Sequence, residues 1–185
     1  FEGYWGGWDG DHVAEVVFRY IAEPSTQLAL LKSGEVHIAP DITVQDKLSL
    51  MDADGFRVDI GAAATPLYFQ FNTSSDGLVG DASFRKMLAQ TFDRKLHLDY
   101  VLQGFGTMPD GPLPPDWMGH STSTELPFNM AAAKELVDQN GWAGSTLKVR
   151  YLPAIEEEQA AVEQLQSNLS QLGIKLEAEG MTWPA

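Results

Sequence analysis

The side chains able to do chemistry in this 185-residue sequence are few and dispersed. Cysteine is absent, which excludes disulfides, thiolate metal sites, iron–sulfur clusters and a cysteine nucleophile together. The four histidines (His12, His37, His97 and His120) include no pair at ligand spacing, so no histidine metal site is expected. Three short matches to known motifs fail on context. Gly104-Phe105-Gly106 opens like a dinucleotide fingerprint, but it follows a helical stretch, lacks the third glycine and runs into Pro109. Gly119 to Ser123 imitates a nucleophile elbow without its final glycine and lies in a proline-rich stretch. Asp9-Gly10-Asp11 begins like a calcium loop, yet Val13 takes the next ligand position and no glutamate closes it. No catalytic residue, metal or cofactor is expected.

Binding is a different matter. In open parallel sheets, ligands collect beyond the carboxyl ends of strands. Applied to the extended segments here, that rule selects Asp41, Asn72, and the run holding Leu152, Glu156 and Glu157. Each has a structural alternative. Asp41 could cap a helix from Thr43, and Asn72 could close an Asx turn. The acids Glu156–Glu158 sit where the first turn of a helix favours negative charge, by ~0.3–1 kcal/mol whatever the function. Trp117 and Met118 lie at the tip of a long proline-rich loop, where a large apolar side chain calls for something to cover it.

Elements must position these groups. Apolar residues make up 44% and charged residues 21%, as in a chain that can bury a core. The net charge of −14 disfavours nucleic acid and anionic lipid as partners and suits a cationic or zwitterionic small molecule, a salty medium, or solubility alone. No apolar run approaches the ~20 residues of a membrane helix. The expected strands are Glu15–Ile21, Glu35–Ala39, Phe56–Gly61, Pro66–Asn72, Thr146–Leu152 and Ile174–Gly180. Helices are expected over Ser25–Gly34 with a serine cap, Thr43–Gly55, Asp81–Gly104 with a break near Asp93-Arg94, Asn129–Trp142 and Ala154–Gly173. Beyond the break, Leu96, Tyr100 and Val101 should resume the apolar stripe. The expected core comprises Phe18, Leu30, Leu67, Phe69, Phe71, Leu88, Phe92, Leu136, Val149, Leu165, Leu169 and Leu172. Thr182-Trp183-Pro184 reads as the start of another element.

One ordered string of motifs runs over nearly the whole chain. It begins with Tyr4-Trp5-Gly6-Gly7 and continues through Leu30-Leu31-Lys32-Ser33-Gly34-Glu35-Val36, the run Leu67–Asn72 and the run Phe84–Arg94. Val101–Pro115, Ala131–Trp142 and Gln171–Glu177 complete it. The string resembles the peptide, dipeptide and nickel family of extracellular solute-binding proteins that serve bacterial ABC importers. The resemblance implies an α/β fold, a periplasmic-binding-protein-like (type II) fragment with a mixed sheet and flanking helices. Residues 1–60 would form the end of lobe one and the crossover, and residues 61–185 a large, incomplete part of lobe two.

It further implies non-enzymatic capture of a peptide or small polar solute between two lobes, on the periplasmic or extracellular face of the membrane. Partners would be ABC permease subunits, with membrane attachment only through an N-terminal anchor outside this chain. Two departures stand out: His37 replaces an acid common in relatives, and Pro153–Glu158 is acidic where some relatives place a cation for the ligand carboxylate. The competing reading is an α/β hydrolase- or transferase-like domain with a dispersed site.

Overall fold

The helices of the chain begin and end where caps and stops dictate. A computed structural model describes residues 3–8, 10–61, 66–74, 77–115, 117–122 and 126–182; Asp9, Trp183 and Pro184 fall outside that set. Helix α1 (Pro24–Ser33) has its proline in the first turn, where the missing N–H has no helical partner to lose, and closes on Gly34 at φ 77°. Ser25 is therefore inside the helix and not its cap; Glu23 holds the cap position without a side-chain bond. Helix α2 (Val44–Met51) stops short of Gly55.

Helix α3 (Ala82–Thr91) is capped by Asp81, whose side chain accepts from the Ser83 N–H. Phe92 leaves the helical region, and Asp93 then caps α4 (Arg94–Leu96), which runs on as a π-helical turn, His97–Val101. The expected break is present. The Asn129 side chain caps α5 (Met130–Asn140), and Gly141 ends it at φ 68°. Strand β1 (Thr146–Tyr151), helix α6 (Glu156–Gln171) and strand β2 (Lys175–Gly180) form a βαβ unit. Its strands pair in parallel from Thr146 opposite Lys175 to Tyr151 opposite Gly180.

Two compact units divide the chain. In Phe1–Thr43, α1 is tied to the preceding segment by Gln27 Nε2, which donates to the Ile21 carbonyl at 2.9 Å. In Val44–Ala185, α3, α5 and α6 enclose one core with the two strands. Phe84, Met87, Val137, Leu169 and Ile174 are fully buried there, and the Phe84 ring meets Trp142 edge-on at 5.0 Å. Side-chain amides of α6 finish the neighbouring backbone: Asn168 Nδ2 donates to the Thr91 carbonyl at 2.8 Å and Gln164 Nε2 to Asp93 at 3.0 Å. The Thr91 carbonyl ends α3, where a helix leaves acceptors without partners, and the Asp93 carbonyl also accepts from the His97 N–H at 3.1 Å. Among the described residues no helix is long and apolar enough to cross a membrane.

Four expected strands do not form. Glu15–Ile21, Glu35–Ala39, Phe56–Gly61 and Pro66–Asn72 join no sheet among the described residues, where the sheet has two strands, β1 and β2. Strand composition favours extended backbone, but a strand also needs a neighbouring strand, and among the described residues these runs have none. The core expectation shifts accordingly. Leu88, Leu165, Leu169 and Leu172 are buried, and Phe69, Phe71, Phe92, Leu136 and Val149 pack half-buried against them. Leu30 is half-buried, Leu67 is exposed, and Phe18 is 94% exposed. Past the break the stripe is also offset: His97 points inward, while Leu96 and Tyr100 are exposed. The Phe92–Asp93 interruption and the wider π turn change the helical phase.

Candidate functional site

The turn joining β1 to α6 is the best-built of the expected binding positions. The Leu152 N–H donates to Glu158 Oε2 at 2.9 Å, and the Ile155 N–H to the Leu152 carbonyl at 3.0 Å. Glu158 is the third residue of α6 and reaches back to an open N–H in the manner of a capping-box acid. With Glu158 committed to the backbone, Glu156 is left exposed and Glu157 half-buried. Leu152, Glu156 and Glu157 thus share one turn at the carboxyl end of β1. The end of β2 lies against the same turn: a Cβ on Gly180 would come within 2.6 Å of Pro153 Cγ.

Asn72 lines a cavity of about 410 Å³ with Gln70, Phe71, Thr73 and Ser74. Its Oδ1 accepts from the Ser74 N–H at 3.1 Å, so it does close an Asx turn while facing that cavity. Asp41 is exposed and belongs to the other compact unit, three residues ahead of α2.

Trp117 and Met118 occupy the tip of a loop with internal order. The Trp117 N–H donates to Pro114 and the His120 N–H to Trp117, both at 3.0 Å. His120 Nδ1 lies 2.8 Å from the Leu113 carbonyl and so carries a proton there, while Nε2 lies 3.4 Å from Asp110 Oδ1. Gly111 admits no side chain, since a Cβ would meet the Ser121 carbonyl oxygen at 2.1 Å. On this frame Met118 is 99% exposed and Trp117 47%.

One titratable group escapes the pattern reading altogether. His97 is 4% exposed, and neither ring nitrogen has a hydrogen-bond partner among the described residues. Burial holds its pKa below the ordinary histidine range, with the Glu157 carboxylate pulling the other way. The arrangement as a whole offers carboxylates, an exposed indole and a thioether at element ends. It brings together no nucleophile and base, and the described residues hold no group of three or more potential metal-ligating His, Cys, Asp or Glu.

Comparison with known proteins identifies the family and the fold. The chain is 25% identical to Protein XP55 of Streptomyces lividans over 97% of its own length and 35% of that protein's. It is 22% identical to a glutathione-binding protein of Pectobacterium atrosepticum, covering 98% of this chain and 35% of the relative. The chain therefore spans about a third of the length of the curated relatives it matches. Among solved structures, a periplasmic binding protein associated with an ABC transporter of Helicobacter pylori, in complex with the peptide STSA, superposes with a TM-score of 0.81. That match has 20% identity and covers 89% of this chain and 32% of the other. A dipeptide-binding protein of Pseudoalteromonas in complex with Met-Leu gives a TM-score of 0.76 at 18% identity, over 87% and 33% of the two chains. These likenesses fix the fold as that of periplasmic binding proteins. The middle-region pattern of one family matches residues 1–185 throughout, and the chain belongs to the bacterial extracellular solute-binding proteins, family 5.

Proposed function

We propose that the chain is part of the substrate-binding component of a bacterial ABC importer, taking up peptides or similar small polar solutes outside the cytoplasmic membrane and delivering them to permease subunits without catalysis. The observation that carries this reading is the family match along the whole of residues 1–185. Relatives named for glutathione and for di- and tripeptides point to the peptide class. Residues 1–60 are assigned to the end of lobe one and the crossover, and 61–185 to lobe two. Asn72, Trp117, Met118, Leu152, Glu156 and Glu157 are proposed ligand contacts within Val44–Ala185, and Asp41 a proposed contact within Phe1–Thr43. Trp117 and Met118 would cover apolar side chains, and Glu156 and Glu157 would face a cationic end.

Capture between lobes depends on closure, which dries the site and strengthens each polar contact. This chain alone should bind weakly, about millimolar or ~4 kcal/mol. Calorimetry with basic, neutral and acidic dipeptides, on this chain and on the longer polypeptide, tests the reading. Expected is weak binding by the former and a preference for basic dipeptides by the latter. Tight binding by this chain alone would overturn the two-lobe reading. A preference for acidic dipeptides would remove Glu156 and Glu157 from the proposed contacts. Cleavage of the dipeptide during titration would replace the transport reading with a hydrolytic one.

A further inference from the structure

His97 is the buried titratable group that ligand capture leaves unused. Its ring lies 5.6 Å from that of Phe92, in the π-helical turn that packs against α6, and both nitrogens are enclosed without a hydrogen-bond partner among the described residues. A neutral imidazole tolerates such a seat. An imidazolium has two N–H donors and a charge, and enclosing them unpaired is costly.

The charged groups around it are nearly all committed elsewhere. Asp93 accepts from the Leu96 N–H, Arg94 donates to the Leu126 carbonyl, and Lys95 pairs with Asp99 at 2.5 Å. On α6, Glu158 is held by the Leu152 N–H, Glu163 accepts from Gln159, and Glu156 is exposed. Glu157 is the carboxylate that acts on the imidazole. Gln164, two helical turns further along the same face of α6, is uncharged and already bonded to Asp93 through Nε2.

We propose that the seat of His97 is an acid-opened latch: a proton taken up by the imidazole drives the turn His97–Val101 away from α6. The sign follows from linkage. A base whose proton affinity is lowered by folding is neutral in the folded state, so the unfolded or opened chain binds the extra proton. Stability is full above the ordinary histidine pKa of about 6.5 and falls as pH drops below it. The latch shares Glu157 with the proposed ligand contacts, and unfolding measured without ligand tests it separately.

Urea unfolding at pH 7.5, 6.5 and 5.5 tests it, on the chain itself and on His97→Leu and Glu157→Gln. The unfolding equilibrium constant of the chain should rise below pH 6.5 by up to about tenfold per pH unit, the limit for one proton. His97→Leu should lack that component; contributions from His12, His37 and His120 are common to both and cancel. Glu157→Gln removes the carboxylate that favours the imidazolium, so its loss should extend to lower pH. Equal slopes for the chain and His97→Leu would overturn the latch. Should His97→Leu not fold, the His97 imidazole proton resonance decides: titration well below pH 6.5 supports the latch, and titration at the ordinary value overturns it.

Discussion

The strand Thr146–Tyr151 and the run from Val13 to Ile21 are built from similar residues, β-branched and aromatic in close succession. Their fates differ. The first pairs with Lys175–Gly180 along six residues and lays Val149 and Tyr151 on a core of helices. The second remains unpaired, with Val13, Val16, Val17, Phe18 and Tyr20 all exposed. Between β1 and β2 lies α6, whose buried face of Ala161, Val162, Leu165 and Leu169 brings the strands side by side. No such crossover returns to residues 13–21 among the described residues. Extended propensity is thus a local property, while strand formation depends on a neighbour delivered by distant chain.

Substitutions can break or sharpen this contrast. The largest effect should come from Phe84→Ala, at the fully buried centre of the core, with a loss of about 3–5 kcal/mol in urea unfolding. A cost below about 1 kcal/mol there would mean that the helices do not share one core. Next is Asn168→Ala, which strips the Thr91 carbonyl of its donor; about 1–3 kcal/mol is expected, read the same way. Asn129→Ala should cost about 1 kcal/mol through the lost cap of α5, while Asn129→Ser should recover most of it. Smallest is Phe18→Ala, within about 0.5 kcal/mol, because nothing packs on that ring. If Phe18→Ala proved as damaging as Phe84→Ala, the contrast between the two regions would collapse.

The same contrast explains what was legible in the residues. Helices announce themselves locally: Asp81 and Asn129 cap, Gly34 and Gly141 stop, and these signals need no distant partner. Strands do not, and four of six expected ones failed for that reason. At the candidate site, exposure was legible at Trp117 and Met118, and the Asx turn at Asn72 was one of two readings left open. The acids Glu156–Glu158 read as one block, but the fold divides them, turning Glu158 to the backbone. The burial of His97 was hidden by the break at Phe92–Asp93, after which a fixed helical period points to Leu96 instead.

The close approach of Gly111 to the Ser121 carbonyl has a consequence for the thermodynamics of recognition. It cinches the loop at its base, and the Pro114, Trp117 and His120 backbone bonds brace it inside. The backbone that carries the Trp117 indole is therefore ordered by folding itself. A ligand stacking on Trp117 would meet a surface whose ordering entropy is already spent in folding, so little affinity is lost to immobilisation. Gly111→Ala would force the base apart and return that freedom to the tip, weakening contacts of Trp117, six residues away, without touching them.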